Sequence, residues 1–124
     1  MKLATVLNHS REVSLGDRVA IANTRWTRLR GLLGRPEPQE GEGLLIVPSR
    51  GVHMMGMRYS LDVVLLDGAG TVVALYPELP PWGKTRMHRG ARVALELPAG
   101  SIERTGTSTG DLVDWSPAER TAPV

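Results

Sequence analysis

His53, Met54, Met55 and Met57 stand within five residues in "GVHMMGMRYSLD", with Arg58 and Asp62 close behind. Thioether and imidazole ligands together suit Cu(I), and in an extended chain His53, Met55 and Met57 share one face while Met54 takes the other. Packing is the competing explanation. Methionine fills irregular gaps in a core, and a chain with five methionines and no phenylalanine needs such fillers. We read the segment as the inside of a sheet, with part of it lining a ligand pocket, and expect neither metal nor cofactor.

Asp62 precedes the apolar run "VVLL". An ionised carboxylate is costly to bury unless it is paired or hydrogen-bonded. Its expected partners are Arg28, Arg35 or Arg58, which could bind it bidentately, or backbone N–H groups of the preceding turn. The structural expectation is a pinned strand entrance; the functional one is a general base or an acid that orients a ligand. A hydrolase could be assembled from His53 or His88 with Asp62 or Asp111 and a serine, but no nucleophile elbow supports it. His9, His53 and His88 lack zinc-ligand spacing. With no cysteine there is no thiolate nucleophile, disulfide or cysteine-based zinc site. The glycines of "LDGAGTVV" join two apolar runs and open no helix, so they form no phosphate loop. Catalysis is therefore not the favoured expectation.

Arg25, Arg28, Arg30 and Arg35 follow one another without an intervening acid, and Glu37, Glu40 and Glu42 come next. A solvated helix face is expected, with contact to an acidic partner or RNA as the alternative. The formal net charge is only +2, so nucleic acid is not the expected partner.

These residues need elements to hold them. At 124 residues the chain suits one core, taken as residues 1–115, with a disordered tail over residues 116–124. "LGDRVAIANT" reads as a strand after a Gly-Asp turn, and Thr24 can cap a short helix in which Trp26, Leu29 and Leu33 recur at helical spacing. Gly34 and Pro36 end it. "LLIVP" reads as a buried strand, and "LDVVLLD", "GAG" and "TVVALYP" as a β-hairpin buried on both faces. "PELPPWGKTRMHRG" is a loop that could cover the pocket. "ARVALELPAG" alternates Val93, Leu95 and Leu97 against Arg92, Ala94 and Glu96, the pattern of a strand with one wet face. Ser101 can cap a helical turn, and "TGDLVDW" starts a last strand. Trp26, Trp82 and Trp115 are the expected large packing anchors. The fold class is mainly β: a compact sandwich or jelly roll, or a partly closed barrel, with one short N-terminal helix and a short helical turn. No apolar run reaches the ~18 residues of a membrane span, and the N-terminal stretch has no apolar leader core, so cytoplasmic residence is expected.

The ordered pieces "ANTRWTRLRGLLGR", "GLLI", "VVLLDGAGTVV", "ALELPAG" and "TGD" resemble an uncharacterised family, domain of unknown function 192, over about Ala20 to Val113. The resemblance implies a compact, mostly β domain and no established activity. It places emphasis on Arg28, Gly31, Leu32, Arg35, Met54, Asp62, Asp67, Gly70, Glu96, Gly100, Gly110 and Asp111. His53, Gly56 and Ser60 depart from residues common in the family. The expected function is a non-catalytic module binding a small ligand or protein through Arg35, His53, Met55, Met57, Arg58 and Asp62, as a monomer or weak homodimer. The alternatives are a small hydrolase-like enzyme using Asp62 and His53, and an interaction protein built on the basic helix.

Overall fold

The structure, a computed structural model, describes residues 1–117. Seven strands form one sheet: β1 (Leu3–Asn8), β2 (Val13–Ala22), β3 (Glu42–Ile46), β4 (Leu61–Leu66), β5 (Val72–Leu79), β6 (Val93–Pro98) and β7 (Val113–Pro117). Two short helices join them, α1 (Arg25–Arg30) and α2 (Ser101–Thr105). The strand order is β5-β4-β6-β3-β2-β1-β7. Among the described residues only β2 and β3 pair in parallel, and α1 lies in the crossover that this pairing requires.

The sheet curls until its ends meet at one corner. The Val72 amide donates to the Asp111 carbonyl at 2.9 Å, and that of Val113 to the Gly70 carbonyl at 2.8 Å. The result is a half-barrel, the partly closed alternative among the expected architectures. Gly70 makes the corner possible, because its φ is +90° and a Cβ there would stand 2.2 Å from the Val113 carbonyl oxygen.

Alternation along β4 and β6 divides the side chains between two apolar layers. Val64, Leu66, Val93, Leu95 and Leu97 fill the inside of the curl with Val6, Val19 and Ile102. Leu61, Val63, Leu65 and Ala94 point outward, where Leu32, Met54, Met57 and Leu79 cover them. Each fully buried leucine contributes about 1.5–3 kcal/mol relative to exposure. This second layer overturns the expected wet face of β6: Val93 to Leu97 are all buried, including Glu96.

The hairpin of β4 and β5 and the strand at β3 lie where the sequence puts them, but only β4 is buried on both faces: β5 ends the sheet order and is half-buried or exposed from Val73 to Glu78. Other expectations need correction. Gly16 and Asp17 lie inside β2, beside an irregularity in its pairing with β1, rather than forming a turn ahead of it. β1 carries no apolar run, and its buried residues are Ala4, Val6 and Asn8. Trp26 and Trp82 are exposed, leaving only Trp115 packed against the inner layer. Ser116 and Pro117 belong to β7; the remainder of the expected tail, residues 118–124, lies outside the described residues. No helix among the described residues is long and apolar enough to cross a membrane.

Candidate functional site

Thr24 and Thr27 form a reciprocal capping box at the start of α1, and Gly31, at φ +53°, ends it after six residues. So short a helix cannot bury its apolar stripe. Gly31 redirects the chain so that Leu32, just past the helix, enters the outer layer. Trp26 stays 67% exposed and Leu29 71%. The Tyr59 hydroxyl donates to the Arg35 carbonyl at 3.1 Å and ties this connection to the methionine segment.

That segment is not extended. The Met57 amide donates to the Met54 carbonyl at 3.1 Å across a turn in which Gly56 has φ +78°. Met54 and Met57 therefore both point into the outer layer, and Met55 is left 63% exposed. The segment is held from the other side by residues 82–85: the Met54 amide donates to the Gly83 carbonyl at 2.7 Å and the Thr85 amide to the Val52 carbonyl at 2.8 Å.

Between α1 and this segment lies a cleft of about 530 Å³. His53, Met55 and Met57 line it together with Leu29, Leu33 and Ile46. Arg25, Arg28 and Arg30 also face it, and Glu96 reaches it from β6. Arg35 and Arg58 line a neighbouring cleft of about 610 Å³, which shares Leu32, Leu33 and Met57 with the first. The Nε of Arg35 is buried there without a hydrogen-bond partner among the described residues. The proline loop covers neither of these two clefts; Lys84 to Met87 border a third, across the segment at residues 51–53.

Glu96 is the residue that the reading of β6 misplaced. It is 4% exposed, and burial pushes its carboxyl from an ordinary value of 4.5 up to about 7. Among the described residues neither a hydrogen bond nor an ion pair offsets that burial. Its Oε1 would lie 3.9 Å from a Cβ at position 31, so the missing side chain of Gly31 leaves the approach to the carboxylate open. The family resemblance emphasises this position. The alternation of the strand concealed it, because nothing local shows that the outer face is covered.

Asp62 stands apart from all of these. It is 0% exposed and points into the inner layer. Its Oδ1 accepts from the amides of Glu78 at 2.8 Å and Gly100 at 3.1 Å, and its Oδ2 from Ile102 at 2.7 Å. No arginine takes part. The amides of Gly100 and Ile102 belong to the first turn of α2, where backbone donors lack helical partners, and an irregularity in the β4–β5 pairing, with Glu78 at φ +49°, delivers the third. Asp62 thus does the capping expected of Ser101, which is the first residue of α2 and donates its hydroxyl to the Pro98 carbonyl.

Asp111 is likewise enclosed in structure: its Oδ2 accepts from Asn8 Nδ2 at 3.0 Å, Arg11 Nε at 2.9 Å and the Ser108 amide at 2.9 Å. These bonds hold its carboxyl down at about 2. Neither aspartate lines any of these clefts, and His53 shares none with them.

A curled, mostly β half-barrel of this kind recurs in solved structures. A protein of unknown function from Novosphingobium aromaticivorans superposes with a TM-score of 0.78 at 23% identity, over 91% of this chain and 84% of that one. A Sinorhizobium meliloti protein, described as a candidate transcription regulator, superposes at 0.75 with 24% identity over 92% of each chain. The sequence profile of DUF192 (Uncharacterized ACR) matches residues 6–115, and the chain belongs to that family. A UPF0127 protein from Thermococcus sibiricus is 33% identical over 112 residues, 86% of this chain and 71% of the relative. The family is one of unknown function.

Proposed function

We propose that this chain is a non-catalytic binding module whose site is the cleft between α1 and the methionine segment. One observation carries the reading. A buried carboxylate with no protein partner among the described residues opens into a concave, mostly apolar space of about 530 Å³, within the range that small ligands occupy. A perturbed acid in a cleft marks a candidate site. His53, Met55 and Met57 form part of the wall, while Arg35 and Arg58 extend the surface into the adjoining cleft. Asp62 lies outside the proposed site, since backbone amides occupy its carboxylate.

The same proposal takes residues 1–115 as the functional unit, acting in the cytoplasm as a monomer or weak homodimer. The absence of cysteine is compatible with a reducing compartment. The test is an amide NMR titration of the ¹⁵N-labelled protein with mixtures of amino acids, nucleoside monophosphates and dicarboxylates. Shifts clustered at residues 25–33, 46–57 and 96 are expected. Shifts confined to other faces, or none with any mixture, would refute the reading.

A further inference from the structure

The cleft holds opposite charges that do not neutralise each other. Glu96 lies at its buried end, where no cation of the described residues pairs with it. Arg25, Arg28 and Arg30 lie on α1, whose first turn has no acid. None of the three makes an ion pair among the described residues. The Nε of Arg28 donates only to the Thr24 carbonyl, at 3.3 Å. The rest of the lining is mostly apolar, with Leu29, Leu33, Ile46, Met55 and Met57 beside His53 and Ser49. Gly31, at the end of α1, presents no side chain toward the carboxylate: a Cβ there would stand 3.9 Å from Glu96 Oε1.

We propose that the ligand is amphoteric: a small molecule with a cationic amine or N–H donor group that Glu96 accepts, an apolar or flat middle, and a carboxylate or phosphate held by Arg25, Arg28 and Arg30. This rests on the cleft being the binding site. Polarity sets the orientation, because an anionic end would meet an unfavourable carboxylate at the floor and a cationic end would meet three guanidinium groups at α1. Arginine matches the planar geometry of a carboxylate or phosphate, and the thioethers of Met55 and Met57 suit an aliphatic chain or a flat ring.

Proton linkage gives the proposal a distinctive signature. An ammonium group reaching protonated Glu96 stabilises the carboxylate, so one proton leaves the acid for solvent as the ion pair forms. The other titratable or charged groups lining this space are His53 and the three arginines, and Tyr59, in the adjoining cleft, is close enough to feel the charge of Glu96. Tyr59 is raised by burial, then by Glu96 and Glu37, and so is uncharged near neutrality. Release of up to one proton is expected at pH 6, falling toward zero at about pH 8, where Glu96 is already ionised.

The experiment is isothermal titration calorimetry of the full chain with ε-aminocaproate, caproate and hexylamine, and with guanosine monophosphate and guanosine, in buffers of different ionisation enthalpy. At least one amphoteric probe is expected to bind about tenfold or more tightly than its single-ended analogues. Aliphatic and nucleotide arms separate the two sources of this chemistry. Glu96→Gln should erase the proton release and the advantage conferred by the amine, and Arg25→Ala with Arg28→Ala, changes at the surface, should erase that conferred by the anion. Equal binding of a single-ended analogue, or no binding of either amphoteric probe, overturns the ligand class. Should dicarboxylates alone shift the cleft resonances in the NMR titration, the ligand class falls and the cleft reading stands.

Discussion

The carboxylate of Asp62 and the amide of Ile102, 40 residues apart in the chain, meet at 2.7 Å inside the protein. With the Gly100 amide at 3.1 Å, this contact makes a strand residue the cap of a helix that has none of its own. The sheet and α2 are consequently joined by charge-assisted hydrogen bonds, each stronger than a neutral one.

Asp62→Asn replaces one acceptor oxygen with a donor that must face backbone N–H groups. A loss of about 2–4 kcal/mol is expected from urea denaturation, with unfolding still cooperative. The variant should retain the NMR response of the cleft when assayed below its unfolding midpoint, as Asp62 does not line it.

Glu96 should make the protein less stable as pH rises. Its folded value of about 7 exceeds the ordinary 4.5, so between these two limits the native state binds more protons than the unfolded one. Stability is then at its fullest below pH 4.5, falls through the interval, and levels off above pH 7. The drop amounts to about 3 kcal/mol. Glu96→Gln should remove it, giving a higher Tm than the parent at pH 8 and a much smaller difference at pH 4.5, as read by scanning calorimetry.

Asp111 carries the opposite sign. Its folded value, near 2, lies below the ordinary 3.8, so its contribution is complete above that ordinary value and disappears as acid approaches pH 2. Asp111→Asn should unfold at a higher pH on acid titration than the parent, followed by far-UV circular dichroism. An unchanged acid midpoint would remove Asp111 from the stabilising network.

Gly70 tests the closure of the curl. A methyl group there meets the Val113 carbonyl at 2.2 Å and also forces an L residue to φ +90°. Gly70→Ala should cost at least about 1–3 kcal/mol and speed amide exchange at Val72 and Val113, whose bonds span the corner.

Two neighbouring leucines should respond very differently to truncation. Leu29 is on the exposed stripe and Leu32 in the outer layer. Leu29→Ala should stay within about 0.5 kcal/mol of the parent, whereas Leu32→Ala should cost about 2–5 kcal/mol. Equal effects in thermal unfolding would contradict the redirection of the chain at Gly31.

The β4–β5 hairpin was legible because β-branched and leucine runs flank a turn sequence with its own local chemistry, Asp67 Oδ1 accepting from the amides of Ala69 and Thr71 at 2.9 Å. β1 was not, since its inward positions are filled by Ala4, Val6 and Asn8, a pattern too polar to stand out. Helical spacing identified α1 but could not say whether anything covers Trp26 and Leu29; a period defines a stripe and not its neighbour. The crowd at residues 53–57 drew attention to a segment three of whose members, His53, Met55 and Met57, line the cleft proposed as the site. What escaped was Glu96, because the cover over it comes from Leu32 and Met57, distant in sequence, and alternation within a strand is blind to such contacts. The donors to Asp62 were hidden for the same reason: its three amides come from β5 and the start of α2.

The interior position of β6, between β4 and β3, gives this architecture an evolutionary liability. The strand that contributes to both apolar layers also carries Glu96, so the proposed recognition and robustness compete at a single codon. Directed evolution for heat tolerance near neutral pH should repeatedly discard that acid and enrich uncharged replacements, yielding hardier proteins without the carboxylate that the proposed recognition requires.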